Sequence, residues 1–261
     1  MKKIPKYKVG LALSGGGVKG FAHAGAFKAL EEYGIKPQII SGTSAGSVAG
    51  VLYSSGYKPQ EIYKMFFSKG FNNFVALTLP VSGFFNPSKF VQFLRKQIKY
   101  ENLEDLPIPV RVVATDLDHG KSVVFTKGRL AERVMASSTI PIVFVPTEID
   151  GVHYVDGGIF CNFPVSAIRE DCEKVIGVNV SPLVPTEYKQ TLVGIAERSY
   201  NFMFRANTIE ECKKCDIIIE VADALKYSNL DLSKVEDIYR LGYESMVQEL
   251  EKNKDILDDF R

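Results

Sequence analysis

The chain has 261 residues, 46% of them hydrophobic and 24% charged, with a formal net charge of +1. That length is near the upper size of one α/β domain and ample for a large core, and the composition is that of an ordinary globular protein. The small net charge offers no footing for nucleic acid, no apolar run has the length of a membrane span, and the basic start from Met1 to Lys8 reads as the lead into a first strand rather than a signal peptide.

Strand-like and helical runs alternate along the chain, the pattern of an α/β fold: three layers, with a mainly parallel central sheet flanked by helices. Lys8 to Leu13 predicts a buried first strand, followed by a glycine loop. Phe21, Ala24, Phe27 and Leu30 then recur at helical spacing up to a stop at Gly34. Ile39-Ile40 is a short strand running straight into Gly42-Thr43-Ser44-Ala45-Gly46, and an Ala/Gly-rich helix follows as far as Gly56. Val110 to Leu117 predicts a strand, His119-Gly120 a turn into Val123 to Phe125, and Asp150-Gly151 a hairpin between 147–149 and 152–155. Lys174 to Val180 and Asp216 to Val221 add two strands, and the tail from Ser233 is helical. No linker or repeat divides the chain, so residues 1–261 are expected to form one domain.

Four cysteines, Cys161, Cys172, Cys212 and Cys215, with no secretory segment, are expected to be reduced thiols in a cytoplasmic protein. Cys212 and Cys215 have redox-motif spacing but fall late in a predicted helix, and no second pair completes a zinc site. No carboxylate cluster has the character of a calcium loop, so neither a metal nor a cofactor is expected.

Three short motifs carry the chemistry. Gly15-Gly16-Gly17-Val18-Lys19-Gly20 lies between a strand and a helix, where glycines let the chain turn and present free N–H groups to an anion. It also spells a dinucleotide fingerprint, but the acid required roughly 20 residues later is absent, and Phe21 stands where a P-loop needs Lys-Ser or Lys-Thr. Gly42-Thr43-Ser44-Ala45-Gly46 is a G-x-S-x-G elbow in a strand–turn–helix setting, which lifts a serine hydroxyl over the sheet edge. Adjacent strand ends would bring the Gly16 and Gly17 N–H groups to the Ser44 oxygen as an oxyanion hole. The base is harder to find. Only His23, His119 and His153 exist, none follows Asp156, and a Ser44–Asp116–His153 triad remains formally open. Asp156-Gly157-Gly158 is the third motif; by itself it reads equally well as a plain Asp-Gly turn.

Taken in order, the glycine loop, the Ser44 elbow and Asp156-Gly157-Gly158 resemble the patatin-like phospholipase family. Ala136-Ser137-Ser138 with Pro141 and Pro146, and Asn162-Phe163-Pro164, add to the match, which covers roughly residues 8–170 and leaves 171–261 to complete the fold. The resemblance implies a serine lipid acyl hydrolase working through a Ser–Asp dyad, with Ser44 as nucleophile and Asp156 as general base. Gly16 and Gly17 would be the main oxyanion donors, with the Val18 N–H as a third. Gly15, Gly20, Gly42, Gly46, Gly157 and Gly158 would support the turns. Lys19 occupies the family's basic position; its alternative is a solvated lysine. A lipid-binding or regulatory module on the same scaffold, and a different ester or thioester hydrolase, are the competing readings.

The segment 57–99 holds eight of the 17 phenylalanines and seven basic residues against one acid, Glu61. Aromatic and basic residues together suit contact with an anionic membrane, while a core cap with solvated lysines explains them equally well. The resemblance implies a lipid or ester substrate, and 57–99 adds peripheral contact with an anionic membrane as an expected partner.

Overall fold

A computed structural model describes residues 4–65, 88–141, 144–185, 187–188, 190–227 and 232–261. Eight strands form one sheet in the order β5-β6-β3-β2-β1-β7-β8, with β4 attached to β3. These are β1 (Tyr7–Leu13), β2 (Ile39–Thr43), β3 (Val110–Asp116), β4 (Lys121–Phe125), β5 (Thr147–Ile149), β6 (Val152–Asp156), β7 (Cys172–Asn179) and β8 (Ile217–Glu220). The run from β3 to β8 across β2, β1 and β7 is parallel; β4, β5 and β6 are joined antiparallel through the hairpins expected at His119-Gly120 and Asp150-Gly151.

The central strands are apolar on both faces, and period-two alternation divides them between two cores. Leu11, Leu13, Ile40, Ile176 and Val178 enter one core, whereas Ala12, Ile39 and Val175 enter the other with Phe163, Val165 and Ile168. Helices α1 (Phe21–Glu32), α2 (Ala45–Ser54), α3 (Pro59–Met65), α4 (Ser88–Gln97), α5 (Leu130–Ser138), α6 (Gly158–Cys161), α7 (Leu192–Ala206), α8 (Thr208–Cys212) and α9 (Val235–Lys252) complete the layers. Helix α9 crosses α1 so closely that a Cβ on Gly242 would lie 2.0 Å from Ala22 O, and one on Gly25 would lie 2.0 Å from Tyr239 O. Among the described residues no helix is long and apolar enough to cross a membrane.

Register decides where the motifs meet. Thr43 is level with Val113, and Ala114 is paired with Asp156. Ser44 and Asp156 therefore stand at one level on either side of β3. Strand β1 ends between β2 and β7, so its glycine loop opens where successive connections diverge, the place where open α/β sheets leave a crevice.

Candidate active site

Ser44 begins α2 with φ 51° and ψ −122°, a backbone conformation that costs a non-glycine residue on the order of 1–3 kcal/mol and persists only where its surroundings hold it. Two neighbours do so. The Ser44 N–H donates to Ser137 Oγ (2.8 Å), and the Ser137 hydroxyl donates to Val113 O (2.6 Å). The turn is also sterically closed: a Cβ on Gly46 would lie 2.3 Å from Leu13 O, and one on Gly42 would lie 2.6 Å from the Gly46 backbone. A side chain at Gly46 would force β1 away from α2, and one at Gly42 would force β2 away from the first turn of α2.

Asp156 closes β6 and is 2% exposed. Its Oδ1 accepts from the Gly158 N–H at 2.8 Å. Burial pushes its pKa up to about 6, although the nearby Ser44 hydroxyl and the Gly158 N–H favour the charged form. Desolvation outweighs two donors, which is the balance required to bring a carboxyl toward neutral pH.

The glycine loop lies against this pair. A 3-10 turn spans Gly17–Gly20, with Gly17 at φ 58°. The Gly15 N–H donates to Asn162 O (2.9 Å) and the Lys19 N–H to Gly16 O (3.2 Å). Between them fall Gly16, Gly17 and Val18, at the start of a helical turn where N–H groups have no acceptor within the turn itself. A Cβ on Gly15 would lie 3.2 Å from Ser44 Cβ, which fixes how near loop and serine approach. Beneath the loop, the His23 Nε2–H donates to Ser14 O (2.9 Å), and Ser14 Oγ accepts from the Val180 N–H (2.9 Å). His23 is fully buried and burial lowers its pKa to about 4, so it stays neutral and acts as a prop.

Lys19 is not a solvated lysine. It is 3% exposed, and burial, with the Arg205 charge, lowers its pKa to about 8. The histidine triad does not form: Asp116 pairs with His119 (2.9 Å) and His153 with Asp118 (3.1 Å). Burial raises the Cys212 thiol to about 11 and Cys215 higher still, the reverse of what a redox pair needs. Of the phenylalanines in 57–99, Phe90 is buried and Phe93 packs against the same core; Phe66, Phe67, Phe71, Phe74, Phe84 and Phe85 lie outside the described residues. No three metal-ligating side chains gather among the described residues.

One contributor escaped the sequence. Asn207, between α7 and α8, donates from Nδ2 to Gly158 O (2.8 Å), Ile159 O (3.2 Å) and Met203 O (2.9 Å), and accepts from the Asn162 N–H (2.8 Å). It thus ties α7 to the turn after Asp156 and, through Asn162, to Gly15. A lone asparagine some 50 residues past the last motif carries no signal by which chain order could find it.

Residues 11–168 match the family model described as patatin-like phospholipase. The chain is 28% identical over 266 residues to Lysophospholipase NTE1 of Saccharomyces cerevisiae, covering 90% of this chain and 16% of that protein. It is 33% identical over 183 residues to an uncharacterized NTE family protein of Mycobacterium bovis, covering 68% of this chain and 51% of that one. The chain thus spans about half the length, or much less, of these relatives. Among solved structures, VipD from Legionella pneumophila superposes with a TM-score of 0.57 at 17% identity, over 95% of this chain and 67% of that one, which shows a shared fold. On its sequence match the chain belongs to the patatin-like phospholipase family.

Proposed function

We propose that the protein is a serine lipid acyl hydrolase that cleaves carboxylic esters through a Ser44–Asp156 dyad. The observation that carries this reading is a strained Ser44 level with a buried carboxylate, Asp156, whose pKa burial pushes up to about 6. Asp156 accepts the Ser44 proton as Oγ attacks the ester carbonyl. The N–H groups of Gly16, Gly17 and Val18 receive the developing oxyanion. Protonated Asp156 then gives its proton to the leaving alcohol, and the acyl-enzyme remains. Water attacks that ester with Asp156 again as base, the fatty acid departs, and Ser44 regains its proton. Nothing in this cycle calls on a metal or an organic cofactor.

Residues 1–261 act as one catalytic unit, since β7, β8 and α9 complete the sheet and core that the motif-bearing part begins. The similarity to a lysophospholipase makes single-chain phospholipids the first substrates to try. The exposed basic residues of 57–99, among them Lys58, Lys64, Lys89 and Lys96, supply a general attraction to anionic lipid.

A fluorophosphonate probe with peptide mapping tests the reading. The adduct should form on Ser44 and slow by a factor on the order of 10²–10⁴ in Asp156→Asn. Absence of adduct in folded protein would transfer the assignment to a lipid-binding module.

A further inference from the structure

Exposed apolar residues are ordinary when scattered and informative when they share a face. Among the described residues, eight of the thirteen exposed large hydrophobics are Phe160 and residues between 183 and 209. On α7 they fall at Leu192 (86% exposed), Ile195, Phe202 and Met203 (47%). With the exposed Ser199 and Ala206 these positions form one stripe at helical period. The outward face of α7 is therefore its apolar face, the inverse of an ordinary surface helix. Its inner side, with the half-buried Asn201, Phe204 and Arg205, points to the protein, and the Phe204 ring lies where a Cβ on Gly158 would be.

Cations border the stripe. The Arg198 guanidinium sits 4.6 Å from the Phe202 ring centre and 6.0 Å from that of Tyr188. Arg205 follows two turns later, close enough that Arg198 and Arg205, and Arg205 and Lys19, bear on one another's ionisation. Large apolar side chains outward, with arginine and aromatics at the margin, is the composition of a helix that lies in a lipid interface. Such a boundary needs no directional partner, and Ser199 is the one polar side chain among the stripe's named positions. The helix is also fastened through Asn207 to the turn after Asp156, so a surface seated here would lie beside the dyad.

We propose that the outward face of α7, with Phe160 on the neighbouring α6, docks the protein on aggregates of anionic lipid. The inference deepens the hydrolase reading and rests on it for the identity of the surface. The sequence contains no tryptophan, so each one introduced is a unique probe. In a Ser44→Ala background, which leaves lipid uncut, Ile195→Trp and Phe202→Trp are titrated with vesicles of phosphatidylcholine and phosphatidylglycerol. Both should shift to the blue and be quenched by brominated acyl chains, while Val124→Trp on β4 should not respond. With Ser44 intact, the double variant Phe202→Ser, Met203→Ser should lose at least roughly tenfold in vesicle partition, since each large apolar side chain buried is worth about a decade or more. Its hydrolysis of vesicle lipid should fall in parallel, and its cleavage of dispersed p-nitrophenyl butyrate should not change.

Three results would overturn the proposal: tryptophans already blue-shifted without vesicles, because another part of the chain covers the face; tryptophans silent while vesicles bind; or no partition at all. Failure of the hydrolase reading is separately visible. It would leave vesicle binding intact with no butyrate cleavage and no fluorophosphonate adduct.

Discussion

At Asp156, the proposed role as base and the stability of the fold make opposite demands. Its carboxyl is raised from 3.8 to about 6, so between those values the folded state holds a proton that the unfolded chain has released. Stability therefore falls as pH rises through this window, and above about pH 6 the full cost, about 3 kcal/mol, is present. Asp156→Asn keeps an oxygen for the Gly158 N–H and carries no charge to desolvate. Chemical denaturation at pH 7.5 should find this variant more stable than wild type by about 1–3 kcal/mol, although its turnover is lost. His23 has the opposite sign: lowered from 6.5 to about 4, it withdraws stability as pH falls from 6.5. The two slopes oppose each other in wild type, so acidification from pH 6.5 to 4 should unmask the His23 loss in Asp156→Asn. For the reaction itself, the base must be ionised, and kcat/KM should rise with an acid limb near pH 6. A limb near pH 4 would remove Asp156 from that role.

Among elements, the short helix α6 is the least self-sufficient. One turn of helix has little stability of its own, yet it follows directly from Asp156 and must aim it. Asn207 supplies the missing fasteners from outside the family-matched segment. Asn207→Ala should lower kcat by about 10- to 100-fold with KM little changed, because misplacing a reacting group costs the chemical step rather than binding. Glu211→Gln, which weakens the bonds from the Ser166 N–H (2.6 Å) and Lys214 (2.5 Å), serves as a control for general loosening. Equal losses in both variants would reduce Asn207 to a structural part. The elements differed in how far the sequence disclosed them. The glycine loop and the elbow are local: turn chemistry is written in consecutive residues, and the structure places both where their spacing indicated. Asp156 is read only by resemblance, because an Asp-Gly turn and a catalytic aspartate are spelled alike. Lys19 stands in the sequence between the family's basic position and a solvated lysine, since no local pattern encodes whether distant elements will bury it.

For the molecule as a whole, the alternation of strands and helices gave the layered class, and the hairpins followed from Asp-Gly and His-Gly turns. Sheet order did not follow, because the placement of β7 beside β1 and of β8 beside β7 is a matter of long-range pairing. The close crossing of α1 and α9 was equally hidden, and through it residues beyond the matched segment hold up the first helix. Gly242→Leu should therefore destabilise the fold by about 3 kcal/mol or more, or give insoluble protein, with every dyad residue untouched. Thermal unfolding checks it.

Gly46 presses so closely on the last turn of β1 that strand and helix share no free space. The loop of glycines and the serine are consequently held at one spacing, like a single cast part. In the proposed reaction, room for an acyl chain would then come from side chains around the cradle rather than from the cradle itself.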